Sequence, residues 1–182
     1  TKVLQGSIDG ISFFWGNEYK EKEHILELVE RCRHSDFGKI IWAVNYGDKT
    51  NYPTKVAFNF ADWTWLSKMM DQANLNNYAL GQKAAIESLR KLFSNGIIPG
   101  KVIAQHVHDM GLKFDIMFRL AILGRIPPMQ IWPSWSFLES HPEFRQVMQD
   151  GIPVQKASYA YPEVREFELS IIREAAETFD ID

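Results

Sequence analysis

Arg119 stands out against its surroundings. It lies in the run Phe114–Ile122 (FDIMFRLAI), which is apolar except for Asp115 and Arg119. A charge inside an apolar strand costs free energy unless it is paired. Near the end of such a strand, a guanidinium can fork onto a carboxylate or a sugar hydroxyl. The alternative is a structural ion pair with a buried acid. Period-two alternation puts Asp115, Met117 and Arg119 on one face and Ile116, Phe118 and Leu120 on the other. Asp115 then lies about 13 Å from Arg119, at about 3.3 Å per residue, and reads as structural.

A second group of polar residues follows the run Lys39–Asn45 (KIIWAVN). Asn45 shares a face with Ile41 and Ala43, where its amide can hydrogen-bond a sugar hydroxyl or simply form the turn before Tyr46 and Gly47. Asp48 can act as an acid or a ligand-binding carboxylate, although in a Gly-Asp turn a backbone cap is the commoner role. Trp15, Trp132 and Trp135 offer flat apolar faces that can stack on a pyranose ring, set against the general tendency of any single Trp to pack in a core. Trp42, in mid-strand, reads as core. Trp63 and Trp65 are two apart on an expected helix and cannot face the same way.

Other chemistries find no support. His106 and His108 sit at i and i+2 on an expected helix and point apart, so they are no metal pair. His106 falls on the apolar face and reads as core, His108 as solvated. No Cys/His cluster has zinc spacing. There is no G-x-S-x-G elbow, P-loop or G-x-G-x-x-G, so nucleotide-dependent and serine-hydrolase chemistries drop out and no metal or cofactor is expected. Cys32, the one cysteine, cannot form an internal disulfide and reads as a small core residue. A net charge of −3 offers no basic surface for nucleic acid or an anionic membrane. No apolar run reaches the roughly 18 residues that a membrane helix needs. The chain is rich in aromatics, with six Trp, six Tyr and twelve Phe.

The elements that must position these residues follow from periodicity. Ile11–Trp15 (ISFFW) is aromatic and β-prone, and reads as strand one. Glu21–Arg33 carries Ile25, Leu26, Val29 and Cys32 at helical spacing. Lys39–Asn45 reads as a strand buried on both faces, and Tyr46–Pro53 as a loop. A short helix is expected over Asp62–Met70, a loop over Asp71–Tyr78 and a helix over Gln82–Phe93, ended by Asn95-Gly96. Pro99 opens a helix that ends at Gly111. Phe114–Ile122 is strand three. A proline-containing segment, Gly124–Tyr161, includes a short helix near Pro142–Gln149. Pro162 opens a last helix to Phe179, with Val164, Phe167, Ile171, Ile172 and Ala175 facing inward. The chain reads as a single unit, residues 1–182. Its alternation of strands and helices predicts an α/β fold with a parallel sheet and right-handed crossovers.

Several of these segments resemble bacterial glycoside-hydrolase-like (β/α)8 proteins. Tyr46-Gly47-Asp48 followed by Asn51–Val56 (NYPTKV) is similar to the loop after their second strand. His108–Leu120 is similar to the approach to, and body of, their third strand. His141–Arg145 (HPEFR) resembles a loop element. Tyr159–Arg165 (YAYPEVR), Arg173-Glu174-Ala175 and Phe179–Asp182 (FDID) resemble the helix that leads into strand four. The likeness covers most of the chain after residue 38 and is weaker before it.

The resemblance implies the N-terminal half of a TIM barrel that stops just before strand four, since a whole barrel takes about 250 residues. In that family, strand four follows directly and carries a Gly and then acidic residues, so the main catalytic carboxylates are expected beyond Asp182. Barrel sites lie at the C-terminal ends of the strands. That selects Trp15, Asn17 and Glu18 after strand one, and Asn45, Tyr46 and Asp48 after strand two. After strand three it selects Arg119, Arg125, Trp132 and Trp135. The implied activity is hydrolysis of O-glycosidic bonds in an oligo- or polysaccharide, with Asp48 the one catalytic candidate within the chain. Alternatives are a carbohydrate-binding barrel without catalysis, or a complete small α/β domain that binds another small molecule. The expected partner is a carbohydrate, with self-association through open sheet edges. The family favours a secreted or periplasmic location.

Overall fold

The computed structural model describes residues 4–10, 12–14, 19, 21–62, 77–120 and 136–182. Its centre is a three-stranded parallel sheet: β1 (Leu4–Ile8), β2 (Phe37–Ala43) and β6 (Lys113–Met117), in the spatial order β1-β2-β6. Ile8 pairs with Trp42, and Trp42 with Ile116. Between β2 and β6 come three short strands, β3 (Asn45–Tyr46), β4 (Lys49–Thr50) and β5 (Phe58–Asn59), which form a second small sheet. A hairpin of β7 (Arg145–Val147) and β8 (Pro153–Ala157) completes the strands among the described residues. The described helices are α1 (Lys22–Glu30), α2 (Asn77–Ser94), α3 (Pro99–Asp109), α4 (Ser136–Ser140) and α5 (Pro162–Thr178).

The parallel sheet has two unlike faces, because alternate residues point opposite ways. One face carries Ile40, Trp42 and Phe114. These join one core with Ile25 and Val29 of α1, Ile86, Leu89 and Leu92 of α2, Ile103 and Val107 of α3, and Ala175 of α5. Trp42 is fully buried as expected, with Phe13 set edge-on to its ring at 5.8 Å. The opposite face carries Ser7 from β1, Lys39 and Ile41 from β2, and Asp115 and Met117 from β6. None of these joins that core. Lys39 and Asp115 form an ion pair there, which is the structural role expected of Asp115.

Strand one is not where the aromatic run suggested. Leu4–Ile8 forms the strand, and Ser12–Phe14 is a single 3-10 turn that drives Phe14 into the core. The true strand, LQGSI, lies at the edge of the sheet among the described residues, with Leu4, Gln5 and Ser7 exposed, so its polar positions hide the β pattern. Gly10 explains why the chain turns there. A Cβ at Gly10 would collide with the Ala43 carbonyl oxygen and the Asn51 amide. Gly10→Ala should therefore lower stability by about 1–3 kcal/mol, the usual cost of forced overpacking. Equilibrium denaturation checks this, and an unchanged midpoint would refute the close fit.

Other expectations need adjusting. Tyr46–Pro53 is no plain loop: Tyr46 pairs with Lys49 across a two-residue connection. Gly47 takes φ +59° there, a backbone region that costs glycine little. The helix expected near Pro142–Gln149 is a 3-10 turn, Pro142–Phe144, followed by the β7–β8 hairpin. Gly151 turns that hairpin at φ +84°. Strand three is shorter than its apolar run, ending at Met117, and α2 begins earlier than expected, at Asn77. Only Asp62 of the helix expected over Asp62–Met70 falls within the described residues. The helices at Pro99 and Pro162 form as expected, each with its proline in the first turn.

The two histidines do point apart, but neither takes its expected place. His106 bridges α3 to α1 through Glu30 at 2.6 Å. His108 meets Asp182 at 3.1 Å and Asp180 at 3.5 Å. Beyond α5 the tail runs along the outer edge of β6. The Asp182 amide donates to the Phe114 carbonyl at 3.0 Å, and the Phe114 amide donates to the Asp182 carboxylate at 2.7 Å. That bond, with His108, holds the Asp182 pKa below the usual carboxylate range.

Candidate functional site

Parallel strands collect their C-terminal ends on one side of a fold, and polar residues gather there on the open face. The Arg119 guanidinium donates to the Asp9 carboxylate at 2.6 Å. It also lies over the Tyr46 ring at 4.6 Å from the centroid. Asp9 follows β1, Tyr46 ends β3 just past β2, and Arg119 follows β6, so all three strand ends of the parallel sheet contribute. The Asp9 and Arg119 side chains remain 36% and 39% exposed, so the pair is reachable from solvent. Burial and the Asp9 charge push the Tyr46 phenol up, with Arg119 opposing them, so the ring is neutral at physiological pH.

The backbone at Arg119 is clamped. Its N–H donates to Asn45 Oδ1 at 2.8 Å, and its carbonyl accepts from the Gly47 amide at 3.0 Å. The Asn45 amide nitrogen donates in turn to the Gly47 carbonyl at 2.7 Å. Asn45 is fully buried. Its contacts are those of a turn former that also fixes the Arg119 backbone.

Beneath this rim lies a buried polar cluster. Asp48 and Lys49 form an ion pair at 2.6 Å with both side chains almost wholly inaccessible. The second Asp48 oxygen accepts the Phe137 amide of α4 at 2.9 Å, so Asp48 caps a helix distant in sequence and not its own turn, the local role expected of it. Lys49 also donates to Ser136 Oγ at 2.8 Å. Burial pushes the Asp48 carboxyl up and the Lys49 ammonium down, and their mutual attraction resists both shifts. Glu168 of α5 is buried beside them. Desolvation, then the Asp48 charge, raises its pKa to about 8, with a bond to Tyr159 opposing.

Of the residues singled out from sequence, Asn45, Tyr46 and Arg119 come together at the rim, with Asp48 below them. Trp15, Asn17, Glu18, Arg125, Trp132 and Trp135 lie outside the described residues. Asp9, Lys49, Tyr159 and Glu168 escaped notice. Misplacing strand one hid Asp9. Glu168, four residues after Val164 and three before Ile171, sits on the apolar stripe of its helix, and a carboxylate there was a readable signal. Among the described residues, no group of three or more His, Cys, Asp or Glu is arranged to hold a metal ion. Comparison with protein-family models finds no match, and comparison with curated proteins finds none either.

Proposed function

We propose that the chain supplies a carbohydrate-binding rim in a glycoside-hydrolase-like (β/α)8 protein. The observation that carries this is the Asp9–Arg119 pair lying against Tyr46 at the C-terminal ends of the parallel strands, on the side of the sheet opposite the Ile40–Trp42–Phe114 core. A guanidinium and a carboxylate locked together present donors and acceptors in fixed directions, which suits a polyhydroxylated ring. An aromatic side chain beside them suits the apolar face of a pyranose.

The order of the strands supports the barrel reading. Successive right-handed crossovers that keep advancing in one direction put their helices on one face of the sheet. A doubly wound sheet instead reverses its strand order and has helices on both faces. Here the parallel sheet takes its strands β1, β2 and β6 side by side in chain order, with β3–β5 set apart in a second sheet, and helices pack on the Ile40–Trp42–Phe114 face.

Glycoside hydrolysis needs two carboxyl groups flanking the bond. Among the described residues, Asp9 is paired with Arg119, while Asp48 and Glu168 are buried. The resemblance assigns the acids to a fourth strand beyond Asp182. The described rim by itself fits a binding role, which keeps a non-catalytic carbohydrate-binding barrel as the second reading.

Calorimetric titration against a panel of oligosaccharides tests the proposal. Arg119→Ala should weaken binding about tenfold or more, the loss expected for a charge-assisted hydrogen bond. Asp115→Asn, at the far end of the same face, should leave affinity unchanged. A wild-type chain that retains no oligosaccharide at millimolar concentration, or an Arg119→Ala variant with undiminished affinity, would overturn the reading.

A further inference from the structure

Glu168 does more than fill a place in the buried cluster. Tyr159, just ahead of α5, has one phenolic proton, and two oxygens lie within reach of its Oη. The Leu120 carbonyl is at 3.1 Å, and Glu168 Oε1 at 3.5 Å. A carbonyl can only accept. While Tyr159 gives its proton to Leu120, the nearer of the two oxygens, Glu168 can complete the chain only as a carboxylic acid that donates to Tyr159 Oη; as a carboxylate it can only accept from Tyr159, the bond that lowers its pKa. Once ionised, Glu168 needs that same phenolic proton, and Leu120 loses its partner. The other Glu168 oxygen, Oε2, has no hydrogen-bond partner and is buried, so an ionised carboxylate there is poorly served.

We propose that Glu168, Tyr159 and the Leu120 carbonyl form a proton-dependent latch that holds the Arg119 rim when Glu168 carries its proton and releases it when the proton leaves. Leu120 follows Arg119 directly, so freeing its carbonyl loosens the segment whose backbone meets Asn45 and Gly47.

The surroundings favour the protonated form near neutral pH. The β3–β4 connection contributes Asp48, whose charge disfavours a second anion, and Lys49, which is engaged with Asp48. The segment before α5 contributes Tyr159. From α4, Glu139 acts on Lys49. On α5 itself, Arg165 is turned to the carbonyls of Tyr159 and Ala160, at 2.6 and 2.9 Å. Lys49 and Arg165 are thus committed to other partners, and the pKa of about 8 puts release just above neutrality.

Amide hydrogen exchange on the whole chain, followed from pH 6 to 9.5 and corrected for intrinsic exchange rates, tests the latch without any sugar ligand. It therefore stands or falls separately from the carbohydrate reading. The Arg119 and Gly47 amides should lose about tenfold in protection across this range. In Glu168→Gln the neutral amide can still donate to Tyr159, so protection should stay high at every pH. In Tyr159→Phe it should be low at every pH. A flat wild-type profile would overturn the proposal, as would a Glu168→Gln profile that follows the wild type. Should Glu168→Gln fail to fold, Tyr159→Phe decides: a pH step as large as the wild-type one refutes the latch.

Discussion

Raising the pH from 4 to 9 should destabilise the folded chain by up to about 5 kcal/mol through Glu168 alone. The carboxyl has its ordinary value of 4.5 when exposed and about 8 in the fold, and each unit is worth about 1.4 kcal/mol. Because the folded value is the higher one, the native state binds more protons than the unfolded state between these limits. Stability is therefore fully present below pH 4.5, falls as the pH rises and levels off above about 8. Asp48, also raised, acts in the same direction. Lys49 acts in the opposite one: burial lowers its pKa, so in alkaline solution it adds stability as the pH rises. Comparison with Glu168→Gln removes both contributions and isolates Glu168. Urea denaturation at unit pH steps should give a falling profile for the wild type and a much flatter one for the variant. Two parallel profiles would mean that the Glu168 environment does not discriminate between its charged and neutral forms.

The parts of the fold that were legible in the sequence are those where local pattern and tertiary environment agree. Pro99 and Pro162 each mark a helix start, because a first-turn proline forgoes no backbone bond. KIIWAVN reads as a strand because β2 is central and paired on both sides, but it is not buried on both faces as expected: Ile40 and Trp42 pack into the core with α1, α2, α3 and α5, while Lys39 and Ile41 on the other side are only partly buried. The edge strand β1 was not legible, since half of LQGSI faces the open side and the aromatic ISFFW beside it offers a stronger β signal. The site divides in the same way. Arg119 could be picked out because a charge in an apolar run needs a partner, yet nothing local names Asp9, 110 residues away, as that partner. Asp48 reads as a local cap of its Gly-Asp turn, yet the amide that its side chain caps belongs to Phe137, 89 residues on. Residue type and spacing report which side chains need partners, and the topology decides which ones they get.

The Asp48–Lys49 pair leads to the second large effect. Lys49→Met should cost about 3–5 kcal/mol at pH 8, because it leaves a buried carboxylate without its counter-charge. The loss should be smaller at pH 5. Without the ammonium the Asp48 pKa rises further, and protonation offers a way out of the uncompensated charge that grows easier as the pH falls. Adding Asp48→Asn should restore much of what Lys49→Met removes. The Asn side-chain oxygen can still accept the Phe137 amide, and a neutral pair of similar volume avoids the desolvation cost of two ions. The double variant should therefore be markedly more stable than the sum of the single changes predicts, a coupling of about 2 kcal/mol or more between residues in direct contact. Guanidinium denaturation of the four proteins at both pH values measures it. Additive losses would show that the packing of the Lys49 chain, rather than charge balance, holds the β3–β4 connection to α4.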